Sequence, residues 1–196
     1  MKYEVILAGV GGQGVLSVGA IISGAAVEEG FNVRQSEVHG MAQRGGAVLA
    51  HMRISDKSIA GDLVPRGMAD LILAMEPLEA IRYAGWLSLN RECGQPGVLV
   101  TAAEPVENIQ NYLDISCIIK TIESFPLYRI VEAAALAKEA GLAQSVNMVM
   151  VGAASAFLPI GTDTLEKTIV KMFSQRYSST VEANIKAFHL GKNAAK

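Results

Sequence analysis

Tyr3 to Ala8 is a short apolar run that ends in glycines, and beyond them Val15, Val18, Ile21, Ile22 and Ala25 recur at helical spacing. Glu28, Glu29 and Gly30 close the pattern, so a strand, a glycine turn and a helix are predicted in that order. Phe31 to Gln35 reads as the next strand, which makes residues 3–35 one βαβ unit with a parallel pair. Ala47 to Ile54 alternates between apolar and polar positions. With Asp56-Lys57 and the short Ser58 to Gly61 segment after it, this predicts a hairpin on one edge of the sheet.

Leu71 to Met75 and Val98 to Thr101 are continuous apolar runs of the kind buried on both faces of a parallel sheet, each followed by a segment of helical character. Tyr128 to Val131 predicts a last strand that flows into a helix over Glu132 to Ala140, with Gly141 as its C-cap. The remainder reads as helical: Val146 to Leu158, Asp163 to Ser174 and Ser179 to Leu190. The last of these opens with Ser179 three before Glu182, and the one before it with Asp163 three before Glu166, both at capping-box spacing. The fold predicted is α/β, a three-layer Rossmann-like arrangement with a mostly parallel sheet, an edge hairpin and a helical C-terminal segment. No repeat, linker or compositional break divides residues 1–196, which read as a single domain.

The chain of 196 residues is 51% hydrophobic and only 18% charged, which excludes the disordered and low-complexity classes. So little charge implies that part of the exterior is buried against another subunit. With 17 Lys and Arg against 19 Asp and Glu there is no basic stripe, and nucleic acid is not expected as a partner. The uncharged runs Val5 to Val27 and Leu142 to Thr162 reach the length of a membrane span. Glycines interrupt the first, and Gln144, Asn147 and Pro159 the second, so buried helices are expected and no membrane location. Cys93 and Cys117 are too widely spaced for a metal pair and too few for an iron–sulfur cluster, and they suit a reducing cytoplasm.

Gly9-Val10-Gly11-Gly12-Gln13-Gly14 satisfies GxGxxG between a predicted strand and a predicted helix. Glycines let a backbone turn tightly beside an anion, and a helix N-terminus presents unpaired N–H groups to it. About 20 residues beyond such a loop a dinucleotide-binding protein carries an acid for the ribose; that position holds Arg34 here, with Glu37 farther on. The alternative is a tight turn that binds nothing. Ser36 to Gly46 follows the second strand and combines Ser36, His39, Arg44, Gly45 and Gly46. It reads as an anion-binding or partner-docking loop, or else as a simple hairpin lead-in with Arg44 at the surface. His51 lacks any ligand-spaced Cys, Asp or His and is expected to be structural, His189 is expected to be solvated, and no metal site is predicted.

GVGGQG, SEVHGMAQRGGAV, ADLILAMEPLEAIR from Ala69 to Arg82, NMVMVGAASAFLP and ANIKAFHLG together resemble the gamma-type subunits of the 2-oxoacid:ferredoxin oxidoreductases nearly end to end. The histidine-containing SEVHGMAQRGG loop is closest to the branch of the indolepyruvate ferredoxin oxidoreductase beta subunits rather than to the pyruvate one. The resemblance implies one subunit of a cytoplasmic complex that is not active alone. In this family a 2-oxoacid is decarboxylated on thiamine diphosphate, electrons leave through iron–sulfur clusters to ferredoxin, and the acyl group passes to coenzyme A. Thiamine diphosphate and the clusters are then expected in a large partner subunit, with coenzyme A at the surface of this chain. Gly11, Gly12 and Gly14 would offer backbone donors to a diphosphate or carboxylate, Arg34 and Arg44 would contact the phosphates of coenzyme A, and His39 would orient the acyl acceptor or simply brace the loop, with Gly9, Ser36, Gly45 and Gly46 as further binding candidates. Three other readings stand beside it: a stand-alone NADP-dependent oxidoreductase with Arg34 near the 2′-phosphate, a pyruvate-type gamma subunit, and a non-catalytic assembly subunit. The isolated chain could also form a homodimer through its uncovered apolar surface.

Overall fold

The computed structural model describes residues 1–39, 45–90, 95–107, 109–174 and 178–195. In chain order the elements are β1 (Lys2–Val10), α1 (Val15–Glu28), β2 (Asn32–His39), β3 (Ala47–Ser55), β4 (Leu71–Ala74), α2 (Pro77–Arg82), β5 (Val98–Ala102), α3 (Ile115–Glu123), β6 (Tyr128–Val131), α4 (Ala133–Glu139), α5 (Val146–Ala154), α6 (Thr162–Ser174) and α7 (Val181–Ala194). The six strands form one sheet in the order β2-β3-β1-β4-β5-β6. β1, β4, β5 and β6 pair in parallel, whereas β3 is antiparallel to both β1 and β2. The architecture is thus α/β with a mostly parallel sheet covered on both sides, as the apolar patterning predicts.

The near-continuous apolar sequence of β1 follows from its position. It lies inside the sheet, with Tyr3, Val5 and Leu7 turned to one layer of helices and Ile6 and Ala8 to the other. The first layer is packed from α1, α4, α5, α6 and α7, the second from α2, α3 and the turn around Trp86. The βαβ unit differs from expectation. β1 and β2 point the same way but do not pair, because β2 returns through a short connection and β3 enters the sheet between them. A short connection permits only an antiparallel neighbour. The edge hairpin is therefore β2–β3, and Ser58 to Gly61 is not a strand. That segment instead straps the second face of β3: the Gly61 carbonyl accepts from Arg53 at 2.7 Å and the Val64 amide donates to His51 Nδ1 at 3.3 Å. These polar anchors explain why β3 alternates although both of its sides are paired. His51 is thereby a structural acceptor, and burial lowers its pKa.

α4 ends in a Schellman arrangement, with the Gly141 amide donating to the Lys138 carbonyl and the Leu142 amide to that of Ala137 while Gly141 adopts φ 92°. The capping boxes are not formed. Thr162 already lies in α6, so Asp163 belongs to its first turn, and the Gly161 amide is taken by Glu29 Oε1 at 2.8 Å. Ser179 lies in a 3₁₀ turn, and Thr180 precedes α7 without a side-chain cap. α5 stops at Ala154, short of the predicted Leu158, as the Ser155 hydroxyl donates back to the Gly152 carbonyl. His189 sits near the surface, 3.3 Å from a Glu166 carboxylate oxygen.

α5 and α7 touch backbone to backbone. A Cβ added at Gly152 would collide with the Phe188 carbonyl oxygen, and one at Gly191 with that of Val149. Relief requires the helices to separate, because the obstructing atoms are backbone. Gly152→Ala and Gly191→Ala are each expected to destabilise the chain by about 3 kcal/mol, the upper end of overpacking costs. Gly30→Ala, at φ 84° but in open space, should cost only about 1–2 kcal/mol of backbone strain. Urea unfolding of the three variants checks the ranking, and equal effects would contradict the close helix contact.

Candidate functional site

The glycine loop joins the end of β1 to the start of α1, at the carboxyl ends of the parallel strands. Gly9 is glycine for lack of space: an added Cβ would lie 2.8 Å from Val15 Cγ2 and 3.0 Å from both Gln13 Oε1 and Met75 Cβ. Gly12 and Gly14 are glycine for conformation, with φ 105° and 79°. Gly14 is the N-cap of α1 and no side chain caps that helix; Asn147, from α5, lies against it, with Nδ2 2.9 Å from where a Cβ would stand. The Gly12 and Gly14 amides have no acceptor among the described residues. The Gly11 amide is already committed, donating to the Gly46 carbonyl at 2.8 Å, while the Gly45 amide donates to the Gly11 carbonyl at 3.3 Å. Gly45 and Gly46 thus brace the loop from the side of β3.

Of the residues singled out from sequence, the structure gathers Gly9, Gly11, Gly12, Gly14, Gly45 and Gly46. The backbone of His39 is level with Val48, which is itself level with Gly9. Ser36 lies lower on the edge strand, in register with His51. Arg34 does not join the group. It stands in register with Arg53, five residues before His39 and so roughly 16 Å down the strand. There it faces Asp62 across 3.9 Å, with both side chains exposed. The NADP arrangement with Arg34 near the loop is not formed, and the interposed β3 moves the end of β2 about 10 Å sideways from β1. Arg44 and Cys93 lie outside the described residues. Among the described residues no group of three or more His, Cys, Asp or Glu could hold a metal ion, and no helix is long and apolar enough to cross a membrane.

The same rim of the sheet carries further acids, among them Glu76 just beyond β4. Glu76 caps α2 with its own carboxylate, accepting from the Glu79 amide at 2.8 Å and the Leu78 amide at 3.2 Å. The Tyr112 hydroxyl donates to the same carboxylate at 2.6 Å, and burial together with that bond holds the phenol well above its ordinary pKa. Glu104 takes the Ala134 amide at the start of α4, and Asp114 that of Ser116 at the start of α3. α1 differs from these three in having no carboxylate at its start. The acid before Pro77 was the available signal for the α2 cap.

A family model described as pyruvate ferredoxin/flavodoxin oxidoreductase matches residues 4–194, and the chain belongs to that family. Its relatives include indolepyruvate oxidoreductase subunit IorB of Methanothermobacter thermautotrophicus, 38% identical over 202 residues that cover 100% of this chain and 98% of that protein. The 2-oxoglutarate synthase subunit KorC of Methanothermobacter marburgensis is 29% identical, with 98% and 96% covered. Among solved structures, the gamma subunit of a keto/oxoacid ferredoxin oxidoreductase from Geobacter sulfurreducens superposes with a TM-score of 0.69 at 26% identity, covering 98% of both chains. The 2-oxoglutarate:ferredoxin oxidoreductase of Magnetococcus marinus, solved with 2-oxoglutarate, coenzyme A and succinyl-CoA bound, shares the fold at a TM-score of 0.74 and 21% identity. It matches 99% of this chain, which spans 31% of that longer one.

Next to the α2 cap, Glu79 is buried and its Oε2 has no hydrogen-bond partner among the described residues, while Oε1 accepts from Arg82 at 2.9 Å. Burial raises its pKa, with Arg82 acting in the opposite sense. The folded chain therefore holds this proton more tightly than the unfolded one. The contribution of Glu79 to stability is full below the ordinary carboxyl pKa and is lost as pH rises through the raised one. Glu79→Gln should gain stability relative to the parent as pH increases from 4 to 8. Urea unfolding across that range checks it, and parallel pH profiles would contradict the assignment.

Proposed function

We propose that this chain is the gamma-type subunit of a 2-oxoacid:ferredoxin oxidoreductase of the indolepyruvate type. The reaction converts a 2-oxoacid anion, coenzyme A and two oxidised ferredoxins into an acyl-CoA, carbon dioxide, two reduced ferredoxins and a proton, the thiol's hydrogen leaving as that proton and two electrons passing to the ferredoxins. The observation that carries the reading is the end-to-end match to the indolepyruvate subunits, at 34–38% identity against 26–29% for the 2-oxoglutarate ones. The chain's two cysteines do not fit an iron–sulfur cluster of four thiolates, so in this reading the clusters and thiamine diphosphate belong to a large companion subunit in the cytoplasm.

α1 supports the need for a companion. It carries no charge from Val15 to Val27, yet Leu16 is 44% and Val27 59% exposed. The residues at the loop fit an anionic group of coenzyme A: the Gly12 and Gly14 amides have no acceptor among the described residues, and no side chain caps the N-terminus of α1. Arg44 would add a charge-assisted contact, and Gly45 and Gly46 would hold the loop in place. Arg34 has no part in this reading.

Co-expression with the large-subunit reading frame beside its gene should yield a complex that reduces dye in the presence of an arylpyruvate and coenzyme A, whereas the isolated chain should not. In that complex Arg44→Ala should raise the KM for coenzyme A by about tenfold or more, the loss of a contact worth about 1.5–3 kcal/mol. An unchanged KM with intact assembly would remove Arg44 from the coenzyme A site. Arylpyruvate-independent activity on 2-oxoglutarate would move the chain to the other branch.

A further inference from the structure

We infer that Gln13 is a positioning residue that closes the dinucleotide crevice of this fold and fixes the glycine loop in a form no NAD(P) can enter. Doubly wound sheets place their nucleotides in the cleft where successive crossovers leave in opposite directions. Here that cleft lies between β1, whose crossover leads through α1 toward β2, and β4, whose crossover leads through α2 to β5 on the other face. The Gln13 carboxamide spans it. Its Oε1 accepts from the Val10 amide at 2.7 Å and its Nε2 donates to the Met75 carbonyl at 3.0 Å, while its own amide donates to the Val10 carbonyl at 3.1 Å. The Val10 amide and the Met75 carbonyl, the polar groups between the two strand ends, are thereby already satisfied, and the open Gly12 and Gly14 amides lie outside this closed crevice's hydrogen bonds. Gly9 packs against the same Gln13 oxygen, leaving no space beneath it. The adjacent helix start is filled by the carboxylate of Glu76, which repels a phosphate. The loop keeps the glycines of a dinucleotide fingerprint but uses its one long side chain to occupy the ligand's place.

The inference does not depend on the oxidoreductase reading, since it concerns the purified full-length chain. In that chain NADPH at millimolar concentration should leave the melting temperature unchanged, and saturable binding would overturn the proposal. Gln13→Ala should speed hydrogen exchange at the Val10 amide by about tenfold, as expected for a lost buried hydrogen bond; an unchanged rate would overturn it. Gln13→Glu keeps the shape and supplies a second reading if the alanine variant does not fold. At pH 4 its protonated carboxyl can still donate to the Met75 carbonyl, so its stability should match the parent there and fall below it at pH 8. A difference from the parent that does not vary with pH would show that Gln13 acts by packing alone and would overturn the proposal.

Discussion

The placement of β3 between β1 and β2 is the constraint from which the rest of the glycine-loop rim follows. In a fully parallel sheet the end of β2 stands beside the glycine turn and contributes to whatever binds there. Here the neighbour is instead the start of β3, and it meets the loop through main-chain bonds between Gly11 and Gly45–Gly46. The turn is thereby held by backbone, and the side chains of β2 are carried to the sheet edge. Arg34 is the clearest casualty: a cation at the right sequence distance is delivered to the wrong place.

Much of this was legible in the sequence, for identifiable reasons. β4 and β5 start where continuous apolar runs place them, because strands buried on both faces have few other ways to be written. Gly141 marked the end of α4 because a left-handed C-cap favours glycine. The order of strands was not legible. Phe31 to Gln35 carries the same pattern whether its neighbour is β1 or β3, since pairing depends on the length of the connections and on long-range packing. The capping boxes misled because Ser and Asp at box spacing can equally sit inside a first turn, and at α6 the acid just after α1, Glu29, had taken the vacant role.

The candidate site was half readable. Gly12 and Gly14 were visible because a turn into a helix requires backbone conformations that other residues resist. Gln13 was invisible in that pattern, occupying a position the fingerprint treats as indifferent, although its two side-chain bonds decide the shape of the turn. Asn147 was likewise hidden, since nothing local in α5 announces a contact with Gly14 more than a hundred residues earlier.

The carboxylates at the starts of α2, α3 and α4 have an effect beyond stabilising those helices. Glu76, Asp114 and Glu104 place negative charge along one half of the sheet's carboxyl end, and α1 alone among the first four helices leaves its positive pole bare. The end of the molecule is consequently polarised, so that a polyanion drifting over it is turned away from β4, β5 and β6 and directed toward β1 before any specific bond is made.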